Sequence, residues 1–387
     1  MYRWPPHMDE LGDIVKKYID DGNPLSISSE TGIYEQLEKK FSELMGRKYV
    51  LAVSSGTMAL YSAYFAINIR PGDEIICTAF SFHATISPAH FMGAKIVFCD
   101  VEQDTGLIDT TKIENLITEK TKAVVTNDQW GHPCDKDAII KICKKHQLFY
   151  IEDCSHAHFS SYKGKYSGTF GDISCWSFQG SKLINGGEGG IFATDNFELF
   201  ERAVLLGHYS WRSINTVVSK KYVPINSSGF GLKLRMHPLA AVIILHELEN
   251  YAEKWVKSRN ETLIYFEKEL ERRTPIKPMI KREYVTSMGA WYGFYPRIDY
   301  EICKDGKQAF IDYLKQNSVE VKVPSNGILP YLPLFNMDSK GNIVSNTQRF
   351  VGAEKYESSV IGFPTFSNYE FETIDSYVDI IERYFEK

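Results

Sequence analysis

The stretch KYVLAVSSGTMAL, Lys48–Leu60, runs five apolar residues into a polar turn and then into a helical pattern. A strand with so little polar alternation is buried on both faces, as in a parallel sheet covered by helices. Ser54, Ser55, Gly56 and Thr57 bring hydroxyls and free backbone N–H groups to the start of that helix. Together with the helix dipole they make an anion site. A plain N-cap is the competing reading, since Ser and Thr favour that position anyway.

The same grammar repeats outward to Ala193. DEIICT, AKIVFC, KAVVT, LFYIED and DISCWSF read as further strands buried on both faces. DKDAIIKICKKH reads as a helix, with Asp135 and Asp137 at its start and Lys144, Lys145 and His146 at its end, as the dipole prefers. Strand and helix alternating at this spacing predict a mostly parallel sheet. Beyond Arg235 the pattern changes. HPLAAVIILHELENYAEKWVKSRNETLIYFEKELER reads as one long or kinked helix. WYGFYPRI and VEVKVP read as strands around a helix near Gly306–Gln316, and a helix at Phe371–Phe385 closes the chain. The expected organisation is a large α/β domain with its N-terminal segment over 1–245 and a smaller α+β domain over 246–387.

At 387 residues the chain can bury a sizeable core. A net charge of −5 argues against a nucleic-acid or anionic-membrane partner. The seven cysteines are scattered without a CxxC pair, which suggests neither a zinc ribbon nor a disulfide framework and fits a reducing cytoplasm. MYRWPPHMDELGD has no apolar core and does not read as a signal peptide. Tyr49–Ile69, the most apolar long window, is interrupted by SSGT and does not read as a membrane span. No metal is expected.

Ligands in open parallel sheets sit outside the carboxyl ends of the strands, and two more stretches reach that edge. In LFYIEDCSHAHF, Asp153 closes an apolar strand, where a carboxyl group needs a partner. A structural salt bridge or a cap is the bland alternative. Cys154 and His156 share a face without meeting, which disfavours a thiol nucleophile. In FQGSKLINGGEGG, Phe178–Gly190, Lys182 lies in a turn before glycines that permit unusual backbone. The stretch is neither a Walker loop nor a GxGxxG fingerprint. A lone loop lysine is usually a solvated cation. An anion cradle, a strand-end carboxyl group and a lysine in a tight turn are, however, the three parts needed to hold pyridoxal phosphate.

At these residues the sequence resembles the sugar aminotransferases of the DegT/DnrJ/EryC1/StrS group. The resemblance runs from roughly Ser26 to Leu248 and rests on SSGTMAL, SFHAT, WGHPCDKDAI, IEDCSHAH, GTFGDISCWSFQGSK and GGEGG, in that order. It implies the type I fold of pyridoxal-phosphate enzymes, with a mostly parallel seven-stranded sheet flanked by helices. It implies that Lys182 forms the Schiff base and that Asp153 partners the pyridine nitrogen. Phe82 would stack on the ring, and His156 would lie near the ring hydroxyl. Ser55, Gly56, Thr57 and Ser177 would cradle the phosphate. One departure stands out: GLKLRMHP places Lys233 where the family commonly has asparagine, on a loop that reaches across a homodimer to the partner's phosphate. Lysine still binds phosphate as a point charge.

A dehydratase branch of the family replaces the lysine with histidine; this chain keeps Lys182, which favours transamination. The implied reaction takes an amino group from glutamate or glutamine to a nucleotide-linked ketohexose. Free keto-sugars, sugar-acid aldehydes and cyclitol ketones are the alternative acceptors. A pyridoxal-phosphate decarboxylase or lyase, and a non-catalytic sensor or scaffold, are the rival functions; the intact lysine argues against the last.

Overall fold

The computed structural model describes residues 8, 10–26, 32–322, 324, 326–337, 343 and 346–386. Most of MYRWPPHMDELGD, the start of the stretch resembling the family and parts of VEVKVP lie outside the described residues. The strands of the central sheet, numbered along the chain, are β1 Tyr49–Val53, β2 Glu74–Thr78, β3 Lys95–Cys99, β4 Thr121–Asn127, β5 Phe149–Asp153, β6 Ile173–Ser177 and β7 Gly190–Thr194. Their spatial order is β1-β7-β6-β5-β4-β2-β3. β7 runs antiparallel to β1 and β6, and the other neighbours pair in parallel. The sheet is therefore α/β, mostly parallel and seven-stranded, as the sequence led us to expect.

Two-faced burial is why these runs are apolar. Leu51, Val53, Ile75, Cys77, Val125 and Ile151 pack on one face with Ala59 and Ala63 of the helix Gly56–Ala66. Ile76, Val124 and Tyr150 point the other way, against Ile139 and Ile142 of the helix Lys136–His146. Asp135 caps that helix, its carboxyl group accepting from the Ala138 N–H at 3.1 Å.

After the sheet the chain forms Pro238–Asn250 and Ala252–Arg273, broken at Tyr251, which leaves helical geometry and stacks on Trp255 at 5.1 Å. The expected kink is real. The helices Gly306–Gln316 and Phe371–Phe385 lie where the sequence places them. The two flanking strands do not form as regular ladders. Among the described residues, WYGFYPRI and VEVKVP make only single bridges, Phe294 to Phe363, Arg297 to Lys277 and Val360, and Lys322 to Gly362. Pro296 interrupts the first segment with no N–H to donate. Phe266, Phe294, Phe310 and Phe363 build the C-terminal core, and Phe80 and Trp130 from the sheet's carboxyl edge join it. This packing brings WYGFYPRI against the ends of the strands. No helix among the described residues is long and apolar enough to cross a membrane.

Candidate active site

A cleft opens at the carboxyl edge of the sheet, and the ends of β1, β4, β5 and β6 all reach it. Ser55, Gly56, Thr57, Phe82, Asp153, His156, Ser177 and Lys182, all expected from the sequence, line it together.

Ser55 caps the helix Gly56–Ala66, its hydroxyl accepting from the Met58 N–H at 3.2 Å. The first backbone N–H groups of that helix, at Gly56 and Thr57, stay available for an anion. Strand ends crowd here. A Cβ at Gly56 would stand 2.7 Å from the Cβ of Ser177, and one at Gly190 would stand 2.2 Å from the carbonyl oxygen of Ser55. The absence of side chains at both positions lets β1, β7 and β6 bring a hydroxyl and free N–H groups to one point.

Asp153 ends β5 and is 6% exposed. Its Oδ2 accepts from Thr85 Oγ1 at 2.7 Å and its Oδ1 from the Ser155 N–H at 3.0 Å. Thr85 in turn lies 2.8 Å from Ser81 Oγ. These bonds fix the carboxyl group at the floor of the cleft. Among the described residues Asp153 makes no salt bridge within the chain, so the bland reading of a structural ion pair does not hold here.

Lys182 is 7% exposed, and so is no solvated cation. The turn holding it is set by its own N–H donating to the Gln179 carbonyl at 2.8 Å. Its Nζ lies 3.7 Å from the ring centroid of Tyr292. Burial holds the amine below its ordinary range, while Tyr292 and Asp153 favour the ammonium form. The net effect enlarges the neutral fraction that a nucleophile or base needs.

His156 stacks on Tyr292 at 3.9 Å and lies nearly parallel to Trp130 at 5.3 Å. Burial, then the neighbouring Lys182 and His158, push it well below the usual histidine range, so it is neutral at physiological pH. Its Nδ1 has no hydrogen-bond partner among the described residues. Phe82 is 45% exposed at the mouth of the cleft. Cys154 is fully buried, and burial pushes its thiol far above the usual range, which further disfavours it as a nucleophile.

Lys233 is not brought to this cleft. It is exposed, bridges His208 in an isolated pair and lies 5.9 Å from the Tyr209 ring. Among the lining residues that the sequence reading did not assign are Thr85, Asn127, Tyr292 and Asn326. Asn127 carried the same signal as Asp153, a polar residue closing the apolar run KAVVTN. Thr85 sits inside SFHAT. Tyr292 and Asn326 come from the C-terminal part of the chain.

Asp128, Glu152 and Cys154 form a second buried cluster with ligand atoms close enough to hold a metal ion. A cation is already there: Lys136 Nζ lies 2.7 Å from Asp128 and 2.9 Å from Glu152. That cluster is a structural ion network behind the cleft.

The residues fit pyridoxal phosphate on three counts. The crowded junction at Gly56 and Ser177 presents N–H and hydroxyl donors of the kind a phosphate takes. Asp153 is a fixed carboxyl group that makes no salt bridge among the described residues and faces the Lys182 amine electrostatically. The buried His156 Nδ1 lacks a partner that a bound ring substituent can supply. Fold and site together define a pyridoxal-phosphate-dependent aminotransferase. Comparison with known proteins agrees: the chain belongs to the DegT/DnrJ/EryC1/StrS aminotransferase family, whose model matches residues 27–382. It is 34% identical to the GDP-perosamine synthase of Escherichia coli O157:H7 over 69% of this chain and 71% of that one. It is also 34% identical to a putative L-glutamine:3-amino-2,3-dideoxy-scyllo-inosose aminotransferase of Micromonospora echinospora, over 64% of this chain and 58% of the relative. An aminotransferase structure from Psychrobacter cryohalolentis superposes with a TM-score of 0.87 at 26% identity, covering 100% of this chain and 98% of that one.

Proposed function

We propose that this aminotransferase moves an amino group from glutamate or glutamine to a nucleotide-linked ketohexose. The observation that carries the chemistry is the buried Lys182 amine sharing a cleft with Asp153 and the Gly56–Ser177 junction. The nucleotide-linked acceptor is supported by the likeness to a GDP-perosamine synthase, and the likeness to a putative scyllo-inosose aminotransferase keeps a cyclitol ketone as the second reading.

Bound at this cleft, the cofactor supplies an electron sink for the pair left when the donor's α-carbon loses its proton. The chain does the rest. Ser55, Gly56, Thr57 and Ser177 hold the phosphate group. Asp153, fixed by Thr85 and the Ser155 N–H, holds the ring nitrogen in its protonated form. Lys182 would hold the cofactor through its aldehyde carbon, and its amine would take the donor's α-carbon proton as a base and give it up, as an acid, to that aldehyde carbon. His156, neutral and stacked on Tyr292, offers a hydrogen bond without adding charge. Phe82 restrains the ring at the mouth of the cleft.

The site is proposed to be completed by a second copy, with Lys233 reaching the partner's phosphate. Trp211, Ile214, Val218, Phe230 and Leu232, from the same part of the chain, are exposed apolar side chains of the kind a partner covers. A reducing cytoplasm suits the seven cysteines, all free and buried.

Adding glutamate or glutamine to the loaded enzyme should convert the bound cofactor's absorbance to that of its amine form. Carbon dioxide release without that change would favour a decarboxylase, and no change with any amino donor would favour a scaffold. Light scattering on the same preparation should give the mass of two chains; full turnover by single chains would contradict the shared site.

A further inference from the structure

We infer that the side-chain amides of Asn127 and Asn326, tied together by Gln129, form a subsite that reads a hydroxyl group of the acceptor sugar, on the carbon next to the one that receives the amine. Asn127 ends β4, beside Asp153 in the sheet register. Gln129 follows it in the next turn. Asn326 arrives from the C-terminal part of the chain. Asn127 Nδ2 and Asn326 Nδ2 both donate to Gln129 Oε1, at 2.5 and 2.8 Å. The three residues are 4%, 0% and 4% exposed. Asn127 and Asn326 line the same cleft as Lys182.

That arrangement uses one end of each amide and leaves the other unmatched. Asn127 Oδ1, Asn326 Oδ1 and Gln129 Nε2 are buried without any hydrogen-bond partner among the described residues. Native interiors leave few polar atoms in that state, so three in one linked cluster call for a ligand. The chemistry of the ligand follows from the set. No charged side chain belongs to the trio, which disfavours a carboxylate or a phosphate. Turning all three amides over preserves their mutual bonds and exchanges the leftover donors with the leftover acceptors. A hydroxyl group, which both donates and accepts, is matched in either orientation. The cofactor's carboxyl partner, phosphate cradle and lysine are supplied by other residues, so the amides remain for the second substrate.

This subsite presupposes the aminotransferase reading, and the test separates the two. The probes are GDP-4-keto-6-deoxymannose, which carries a hydroxyl beside its ketone, and its 3-deoxy counterpart, which lacks it. Each is offered to enzyme carrying the cofactor in its amine form, and the return of the aldehyde-form absorbance is followed. A site built around a substrate hydroxyl discriminates strongly against the analogue without it. The wild-type enzyme should therefore prefer the hydroxylated sugar by at least about a hundredfold in kcat/KM. In Asn326→Ala that preference should collapse toward unity, chiefly through loss on the hydroxylated sugar. Asn127→Ala serves as the second variant should the first fold poorly. If glutamate and glutamine fail to generate the amine form in the wild-type protein, the aminotransferase reading fails and the subsite with it. If the amine form is made normally but the two sugars react equally, or the variants keep the wild-type preference, the subsite alone is overturned; if neither sugar reacts, the nucleotide-linked acceptor and the subsite are overturned together.

Discussion

Asp153 shows how one side chain acquires a role from its neighbours. Its two oxygens are each held by a donor, Thr85 Oγ1 and the Ser155 N–H, which fixes the group without neutralising it. A carboxyl group so placed stabilises positive charge on a bound ring nitrogen, and electrostatic groups aimed at developing charge are worth factors of about 10² to 10³ when removed. Asp153→Asn should cut the rate of the donor half-reaction by roughly that factor. Thr85→Val should cost less, about tenfold, since it removes one hydrogen bond and leaves the charge. Single-turnover absorbance measures both. A near-normal rate in Asp153→Asn would remove this residue from the mechanism. Asp153 and Lys182 were legible because a polar group closing an apolar strand, and a lysine before a run of glycines, are local signals. Asn127 was equally legible, yet it was passed over because an amide at a strand end carries no charge to explain. Tyr292 was not legible: the aromatic that receives the Lys182 amine comes from a segment whose place beside the cleft depends on packing far along the chain.

At the scale of elements, the strands were readable because burial on both faces writes itself as an unbroken apolar run. The helix Lys136–His146 was readable from its cap and its terminal charges. The C-terminal pairings were not, because single bridges such as Phe294 to Phe363 leave no periodic trace. A pH effect belongs to this scale. Glu247, on the helix Pro238–Asn250, accepts the Asn185 N–H at 2.7 Å and so ties that helix to the loop three residues beyond Lys182. Burial pushes its carboxyl group up to about 8 from an ordinary 4.5, with the Asn185 N–H opposing. The folded chain therefore binds this proton more tightly than the unfolded one. The stability it contributes is fully present below about pH 4.5 and is lost as pH rises through about 8. Glu247→Gln removes that dependence. Between pH 5 and pH 9 the variant should gain on the wild type by on the order of a few kcal/mol, read from urea midpoints at each pH. A stability difference that does not change with pH would contradict this account.

For the molecule as a whole, the sheet, its mostly parallel order and the position of the cleft follow from strand–helix alternation, because that alternation leaves the carboxyl edge as the natural place for a ligand. Lys233 marks the limit of one chain: alone it sits exposed and away from the cleft, and its proposed role needs a second copy. The central claim is that every part of the fold converges on the amine of Lys182. Reducing the loaded enzyme with borohydride and mapping its peptides tests this most directly. The account predicts the cofactor's mass on the peptide containing Lys182, and no stable attachment in Lys182→Ala; the same mass recovered on any other lysine would contradict it.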